Sequence, residues 1–137
     1  MTPTLIGRIQ TRIFLISTFG VAWSIVIFPV LLLTGVSFTD ALSGVIRALV
    51  IVTLFGVVWE FVYHSLQQLR WEKDWPSLFS LLLGIPEGIL LYLFVRDIPW
   101  FTFVLHFATT WVVIWLAAHG PMRVLLHRWR FHGGRIL

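Results

Sequence analysis

Long apolar segments are the feature that most limits what this chain can fold into. Lipid offers no hydrogen-bond partners to an open backbone, so a segment that crosses a bilayer is predicted to be a helix. Four stretches have the length of about 20 mostly apolar residues that a crossing needs: about residues 13–35, 42–64, 77–95 and 99–119. We therefore predict an all-α integral membrane protein. Its single domain, residues 1–137, is expected to be a bundle of four transmembrane helices with a short basic amphipathic helix in the tail, residues 120–137.

The composition agrees with a lipid environment and excludes several kinds of function. Of the 137 residues, 58% are hydrophobic and only 12% are charged, whereas a soluble domain carries about a quarter charged residues. The chain has no cysteine, which excludes disulfide chemistry and thiolate metal sites. Its net charge of +4 comes from residues at the ends of apolar segments. Membrane topology and anionic lipid explain that charge better than nucleic acid, which we do not expect as a partner.

The distribution of lysine and arginine predicts the orientation. Basic residues collect on the side of the membrane that faces the cytoplasm. The N-terminal stretch, the loop after the second segment and the tail hold eight of them: Arg8, Arg12, Arg70, Lys73, Arg123, Arg128, Arg130 and Arg135. The opposite side has Arg96, and Arg47 lies just inside the second segment. Both termini are therefore predicted to be cytoplasmic, in a multi-pass protein of the cell (inner) membrane.

The tail that follows Gly120-Pro121 has its own pattern. Apolar residues recur in it at helical spacing, with basic residues between them. This pattern favours an interfacial helix whose arginines lie among anionic lipid headgroups: Arg123, Arg128, Arg130 and Arg135. A charged tail that only enforces topology is the alternative.

Ionisable residues inside the apolar segments are the main functional candidates. A charge at the bilayer centre costs about 2.5–3.5 kcal/mol on insertion scales, so such residues usually face an interior or a water-filled cavity. The candidates are Glu87, Glu60, His106 and Arg47. Depth along the helices makes His106 the first expected partner of Glu87. A proton path would need these residues on one face, but Arg47 lies about 140° round the helix from Glu60.

Two histidines at the inner boundary, His64 and His119, offer a weak haem or metal hypothesis. They lie at similar predicted depth, and His64 follows Glu60 by one helical turn. The di-iron spacing and the zinc-protease motif are both absent from the sequence. The pair is explained more simply if both histidines are solvated at the membrane interface. No cofactor is therefore predicted.

The stretch LLLGIPEGILLY, residues 81–92, contains three structural features. Pro86 lacks a backbone donor and crowds the carbonyl of Leu82, which predicts a kink. Gly84 and Gly88 form a GxxxG pair that allows close helix packing. Glu87 places a carboxyl group beside that contact, either as a titrating group or as a buried partner that locks the bundle.

Two functions from different classes follow. The first is a structural or accessory subunit, or an assembly factor, that packs as a homo-oligomer or in a larger membrane complex. The alternative is a small proton-coupled transporter or channel-like oligomer that uses Glu87. Nucleotide-binding and hydrolase motifs are absent from the sequence, so we predict a role other than catalysis.

Overall fold

The computed structural model describes residues 3–72 and 76–137, and all regular structure within these ranges is helical. Lys73 of the predicted cytoplasmic loop lies outside the described residues. One π-helical turn, Ile16–Gly20, joins the first two helices. The helices are α1 Leu5–Leu15, α2 Val21–Leu32, α3 Phe38–Leu69, α4 Ser77–Leu82, α5 Gly84–Tyr92, α6 Trp100–His119, α7 Pro121–Leu125 and α8 His127–Phe131.

Three helical units are long and apolar enough to cross a membrane. They are Leu5–Leu32 with 28 residues, Phe38–Leu69 with 32 and Trp100–Leu125 with 26. At about 1.5 Å per residue each exceeds the hydrocarbon thickness of about 30 Å. Large apolar side chains on their outer surfaces, such as Ile25 and Leu54, are exposed. These features indicate a membrane protein, as the sequence predicts.

The predicted third segment, residues 77–95, is not one span-length helix. It forms α4 and α5, which together cover only Ser77–Tyr92. The break falls at Leu83, and Pro86 lies in the first turn of α5. A proline is tolerated in a first turn, because its missing N–H would have no partner there. Leu83 keeps helical φ and ψ of −65° and −16°, so the break is confined to this one residue. The described residues contain three span-length units where four were predicted.

The helix ends follow local sequence signals. Thr4 caps α1, where its hydroxyl accepts a hydrogen bond from Gly7 N at 3.2 Å, and Ser37 caps α3 by accepting from Asp40 N at 3.1 Å. Such hydroxyls satisfy N–H groups that a helix leaves unpaired at its start. The helix α6 ends at His119, before the predicted Gly120-Pro121 stop. The first helix begins at Leu5 rather than near residue 13, which brings two arginines into it.

The tail folds back on α1. The predicted single amphipathic helix is two short ones, α7 and α8, separated at Leu126. Trp129 is buried, and its indole N–H donates to Thr11 Oγ1 at 2.7 Å. The amide of Ile136 donates to Gln10 Oε1 at 2.9 Å. The two ends of the chain therefore lie together at one end of the bundle.

Candidate functional site

A buried cluster of charges centres on Arg12. Its Nε donates to Glu60 Oε1 at 2.7 Å. Its two terminal nitrogens donate to the two carboxylate oxygens of Glu87 at 2.7 and 2.9 Å. One guanidinium thus bridges a carboxylate on α3 and a carboxylate on α5. Two parallel N–H···O bonds to one carboxylate are the geometry in which arginine binds acids most strongly.

Three further side chains extend the cluster. Tyr63 donates its hydroxyl hydrogen to Glu87 Oε1 at 2.8 Å. Arg8 donates from Nη1 to Glu60 Oε2 at 3.4 Å, and from Nη2 to Gln67 Oε1 at 2.7 Å. Each of the four oxygens of the two glutamates therefore accepts at least one hydrogen bond.

The spacing of residues along two helices explains this arrangement. Glu60, Tyr63 and Gln67 follow one another by three and four positions, which puts them on one stripe of α3. Arg8 and Arg12 are four apart on α1 and face that stripe. Gly56 is one turn earlier on the stripe, where a Cβ would lie only 2.5 Å from the Cδ of Arg12. Glycine at that position leaves the room that the arginine occupies.

The GxxxG pair brings Glu87 to the cluster from the other side. Gly84 and Gly88 both face α6, where a Cβ would lie 2.3 Å from the indole nitrogen of Trp111 and 2.5 Å from the ring of Phe107. Trp111 Nε1 also donates to the carbonyl of Leu81, at the break between α4 and α5, at 3.1 Å. Two aromatic rings of α6 therefore take the space that the glycines leave.

The cluster is buried and formally neutral. The side chains of Arg12 and Glu60 are each 9% exposed, and that of Glu87 is 2% exposed. Two arginines face two glutamates, so their formal charges cancel. The Cζ of Arg12 also lies 5.8 Å from the ring centre of Trp111, within reach of a cation–π contact. Because a buried charge is tolerated only when it is paired, the cluster explains how these groups fit inside an apolar bundle.

A cavity of about 430 Å³ opens beside the cluster. Arg12, Glu60 and Glu87 form part of its wall, and Trp111 and Trp115 form another part. Its volume is in the range of about 300–1,000 Å³ that is typical of small-molecule sites. Its other lining residues come from α1, α3, α4, the break at Leu83, α6, α7, α8 and the two chain ends.

No known protein family, curated protein or solved structure matches this chain. The geometry of the site is therefore the basis for assigning it a role.

Of the predicted intramembrane candidates, Glu87 and Glu60 meet in the cluster and His106 does not. His106 Nε2 lies 2.8 Å from Ser24 Oγ on α2. The expected pairing of Glu87 with His106 was wrong, because similar depth on neighbouring helices does not make two residues face each other. The carboxylate of Glu87 is instead held by Arg12 and Tyr63.

Arg47 lies apart from the cluster, in an exposed ion pair. Its Nη1 donates to Asp97 Oδ1 at 3.1 Å, and its Nη2 bonds to Oδ2 of the same carboxylate. The hydrogen bonds from Arg47 lower the pKa of the Asp97 carboxyl from its usual value. The pair ties α3 to the segment between α5 and α6.

The two histidines of the haem or metal hypothesis lie in different settings. His119 lines the cavity, and its Nδ1 lies 2.8 Å from the carbonyl oxygen of Trp115. His64 lies on α3, with Nε2 at 3.5 Å from Gln68 Nε2. Across residues 3–72 and 76–137, His, Asp and Glu side chains form no group of three that could hold a metal ion.

The four tail arginines, Arg123, Arg128, Arg130 and Arg135, are all exposed. Exposed apolar side chains lie on the two short helices that carry the first three of these arginines, among them Leu125 at 75% and Phe131 at 75%. Trp129, by contrast, faces the protein interior.

Sequence reasoning missed the arginines and the tyrosine of the cluster. Arg8 and Arg12 count as topology markers when the first span is taken to begin near residue 13. Tyr63 and Gln67 carry no charge, so the cost of a charge in lipid does not single them out. The signal was present in the four-residue spacing of the two arginines and in the polar stripe that begins at Glu60.

Proposed function

We propose that the chain is a multi-pass protein of the cell membrane with four crossings and with both termini in the cytoplasm. The contacts between the chain ends support an even number of crossings. The amide of Thr4 donates to Gly133 O at 2.8 Å, and the tail also bonds to Gln10 and Thr11. Ends that touch lie on one side of a membrane, and this supports α4 and α5 as a fourth crossing beside the three span-length units.

The length of that fourth crossing is compatible with the proposal. Ser77–Tyr92 rises about 24 Å as helix, and the turns that follow it extend toward Pro99. The hydrocarbon core is about 30 Å thick, and a bilayer thins locally around a short segment at modest cost. The excess of arginine at the shared end of the chain supports a cytoplasmic location for that end.

Within the membrane we propose a structural role: an accessory subunit or assembly factor of a membrane complex. The observation that carries this proposal is the way Glu87 is held. Arg12 binds both of its oxygens, Tyr63 binds one of them, and the side chain is 2% exposed. A carboxylate that carries protons through a membrane has to change partners, whereas this one is fixed by three hydrogen bonds from two other helices.

The outer surface supports the proposed partners. Large apolar side chains on α2, α3 and α5 are exposed, including Ile25 at 70%, Leu54 at 64% and Ile89 at 65%. Such surfaces suit lipid, further copies of the chain or the helices of a larger membrane complex. The exposed tail arginines suit anionic lipid at the cytoplasmic face.

A small proton-coupled transporter, or a channel-like oligomer, is the second candidate. The cavity favours it, because Glu60 and Glu87 line the same space as three arginines. In this mechanism a substrate in the cavity would compete with the glutamates for Arg12. Haem or metal binding has no comparable support.

Liposome flux separates the two candidates. The purified full-length protein is reconstituted, and proton-linked flux is measured for wild type, Glu87→Gln and the exposed control Asp97→Asn. The structural proposal predicts no flux above empty liposomes for any of the three, together with co-purification of a membrane partner. Flux that Glu87→Gln abolishes and Asp97→Asn preserves would overturn it in favour of transport.

Reporter fusions test the topology separately. A reporter after Leu137 is expected to be cytoplasmic, and one inserted after Gly35 is expected on the opposite side. A non-cytoplasmic signal after Leu137 would contradict the proposed orientation.

A further inference from the structure

We propose that the cavity beside the cluster binds an amphipathic organic anion, with one carboxylate or phosphate group on an apolar chain or ring. This goes beyond the structural role and does not depend on it. The cavity extends from Arg123, which is exposed, to Glu87, which is buried. At about 430 Å³ it has room for one small molecule, which is less than a whole two-chain lipid occupies.

The aromatic wall of the cavity indicates that the ligand has an apolar part. Trp111 and Trp115 are one turn apart on α6, and Ile114 lies between them. The indole N–H of Trp111 already donates to the Leu81 carbonyl at 3.1 Å, and that of Trp115 donates to the Ser77 carbonyl at 2.8 Å. With these donors occupied, the rings offer a ligand only apolar surface.

The sign of the polar group follows from the charges of the wall. Three arginines and two glutamates line the described part of the cavity: Arg8, Arg12, Arg123, Glu60 and Glu87. The formal charge of this described part of the lining is therefore positive by one. A small anion balances that charge, whereas a cation would double it.

The remaining hydrogen-bond capacity also favours an anion. All four oxygens of the two glutamates already accept bonds from the cluster. Arg12 has five N–H groups and uses three of them in the bonds given above. The guanidinium of Arg123 has no hydrogen-bond partner among residues 3–72 and 76–137. Arg12 and Arg123 therefore keep unused N–H groups in the lining, and such charged donors bind an oxyanion more strongly than neutral donors do.

His119 adds a ring nitrogen to the same wall. Its Nδ1 faces the carbonyl oxygen of Trp115, which can only accept, so Nδ1 carries the hydrogen. The other ring nitrogen, Nε2, is then an acceptor, so it suits a hydroxyl or N–H group of a ligand rather than its anionic group. His119 and Arg123 flank the Gly120-Pro121 break, so the turn after α6 brings both to the cavity.

The ligand has two conceivable sources with the same chemistry. A single-chain carboxylate would enter from the membrane, and a soluble aromatic acid would enter from the cytoplasm. Tryptophan quenching distinguishes them, since heavy halogens quench an indole that they contact. The probes are bromoundecanoate for the first source, para-iodobenzoate for the second and a bromoundecyl trimethylammonium salt as the chain-matched cation.

The experiment uses the full-length protein in a non-ionic detergent. We expect saturable quenching by at least one of the two anions and none above detergent background by the cation. Trp115→Phe should reduce the quenched fraction. Arg123→Gln should raise the dissociation constant about tenfold, the effect of losing one charge-assisted contact. The control Arg128→Gln, an exposed arginine outside the cavity lining, should leave it unchanged.

Each outcome decides the proposal. Quenching by bromoundecanoate alone assigns the ligand to the membrane, and quenching by para-iodobenzoate alone assigns it to the cytoplasm. The site would be overturned if the cation quenched as much as the anions or if the quenching did not saturate. It would also be overturned if Arg123→Gln and Arg128→Gln changed the dissociation constant equally. Displacement of both anions by inorganic phosphate at matched concentration would overturn the requirement for an apolar part. None of these results bears on the flux and co-purification that test the structural role.

Discussion

Replacing Arg12 with methionine is the sharpest test of the buried cluster. Methionine keeps much of the length and apolar volume of the side chain and removes the charge and all the donors. The substitution deletes three hydrogen bonds of 2.7, 2.7 and 2.9 Å to two glutamates. Among the described residues, Glu87 then keeps only its hydrogen bond from Tyr63, and Glu60 keeps only its hydrogen bond from Arg8.

The magnitude follows from burial. Removing one partner of a buried ion pair costs about 3–5 kcal/mol, because the other charge stays buried without compensation. The side chains here are 9% exposed for Arg12 and 2% for Glu87, so that range applies. The matched control is Arg47→Met, which deletes an arginine that binds Asp97 with both terminal nitrogens. That pair is 40% and 55% exposed, and exposed pairs contribute about 0–1 kcal/mol.

The measurement is reversible unfolding in mixed micelles with increasing denaturing detergent. The free energy of unfolding should fall by about 3 kcal/mol or more for Arg12→Met and by less than about 1 kcal/mol for Arg47→Met. Similar losses for the two variants would refute the reasoning, since Arg12 is buried and binds two carboxylates whereas Arg47 is exposed and binds one.

Three further predictions concern packing, the tail and pH. Gly84→Ala should cost about 1–3 kcal/mol in the same unfolding measurement, because its Cβ would lie 2.3 Å from Trp111 Nε1 and force the indole to move. Gly7→Ala should release the tail from α1, because its Cβ would lie 2.1 Å from a tail carbonyl oxygen, and trypsin should then cut the tail faster. The hydrogen bonds from Arg47 lower the pKa of Asp97, so their stabilisation is present above its unfolded pKa of about 4 and is lost in acid below it. The stability difference between wild type and Asp97→Asn should therefore shrink as pH falls.

Matched controls make these predictions specific. Gly20→Ala is the control for Gly84→Ala, because its Cβ would be 3.4 Å from the nearest atom outside its neighbours, an ordinary contact. A loss from Gly20→Ala equal to that from Gly84→Ala would contradict the packing argument. Unchanged tryptic cleavage in Gly7→Ala would show that the tail is held by other contacts. If the stability difference between wild type and Asp97→Asn grew in acid, the direction of the Asp97 pKa shift would be contradicted.

Much of the fold could be predicted from the sequence, because long apolar runs and helix stops are local signals. The predicted segment 42–64 lies inside α3, and the predicted stop at Gly120 matches the end of α6. In residues 77–95 the sequence predicts a kink at Pro86, and the break lies three residues earlier, at Leu83. A proline shows where a helix is weakened, but whether the helix bends or restarts depends on what packs around it, here Trp111.

The candidate site was only half predictable. Glu60 and Glu87 stood out because charge is costly in lipid. The depth argument could not find Arg12, because it took residue 13 as the start of the first span. Depth also carries no information on the rotation of a helix, and rotation decides that Glu87 meets Arg12 and Tyr63 rather than His106.

In the proposed structural role, Arg12 and Glu87 stabilise one another as a fixed link between helices. A double-mutant cycle measures this link most directly, from the unfolding free energies of wild type, Arg12→Met, Glu87→Gln and the double variant. We predict a coupling energy of about 2 kcal/mol or more, so that the double variant is much more stable than the sum of the single losses implies. A coupling energy near zero would contradict the claim.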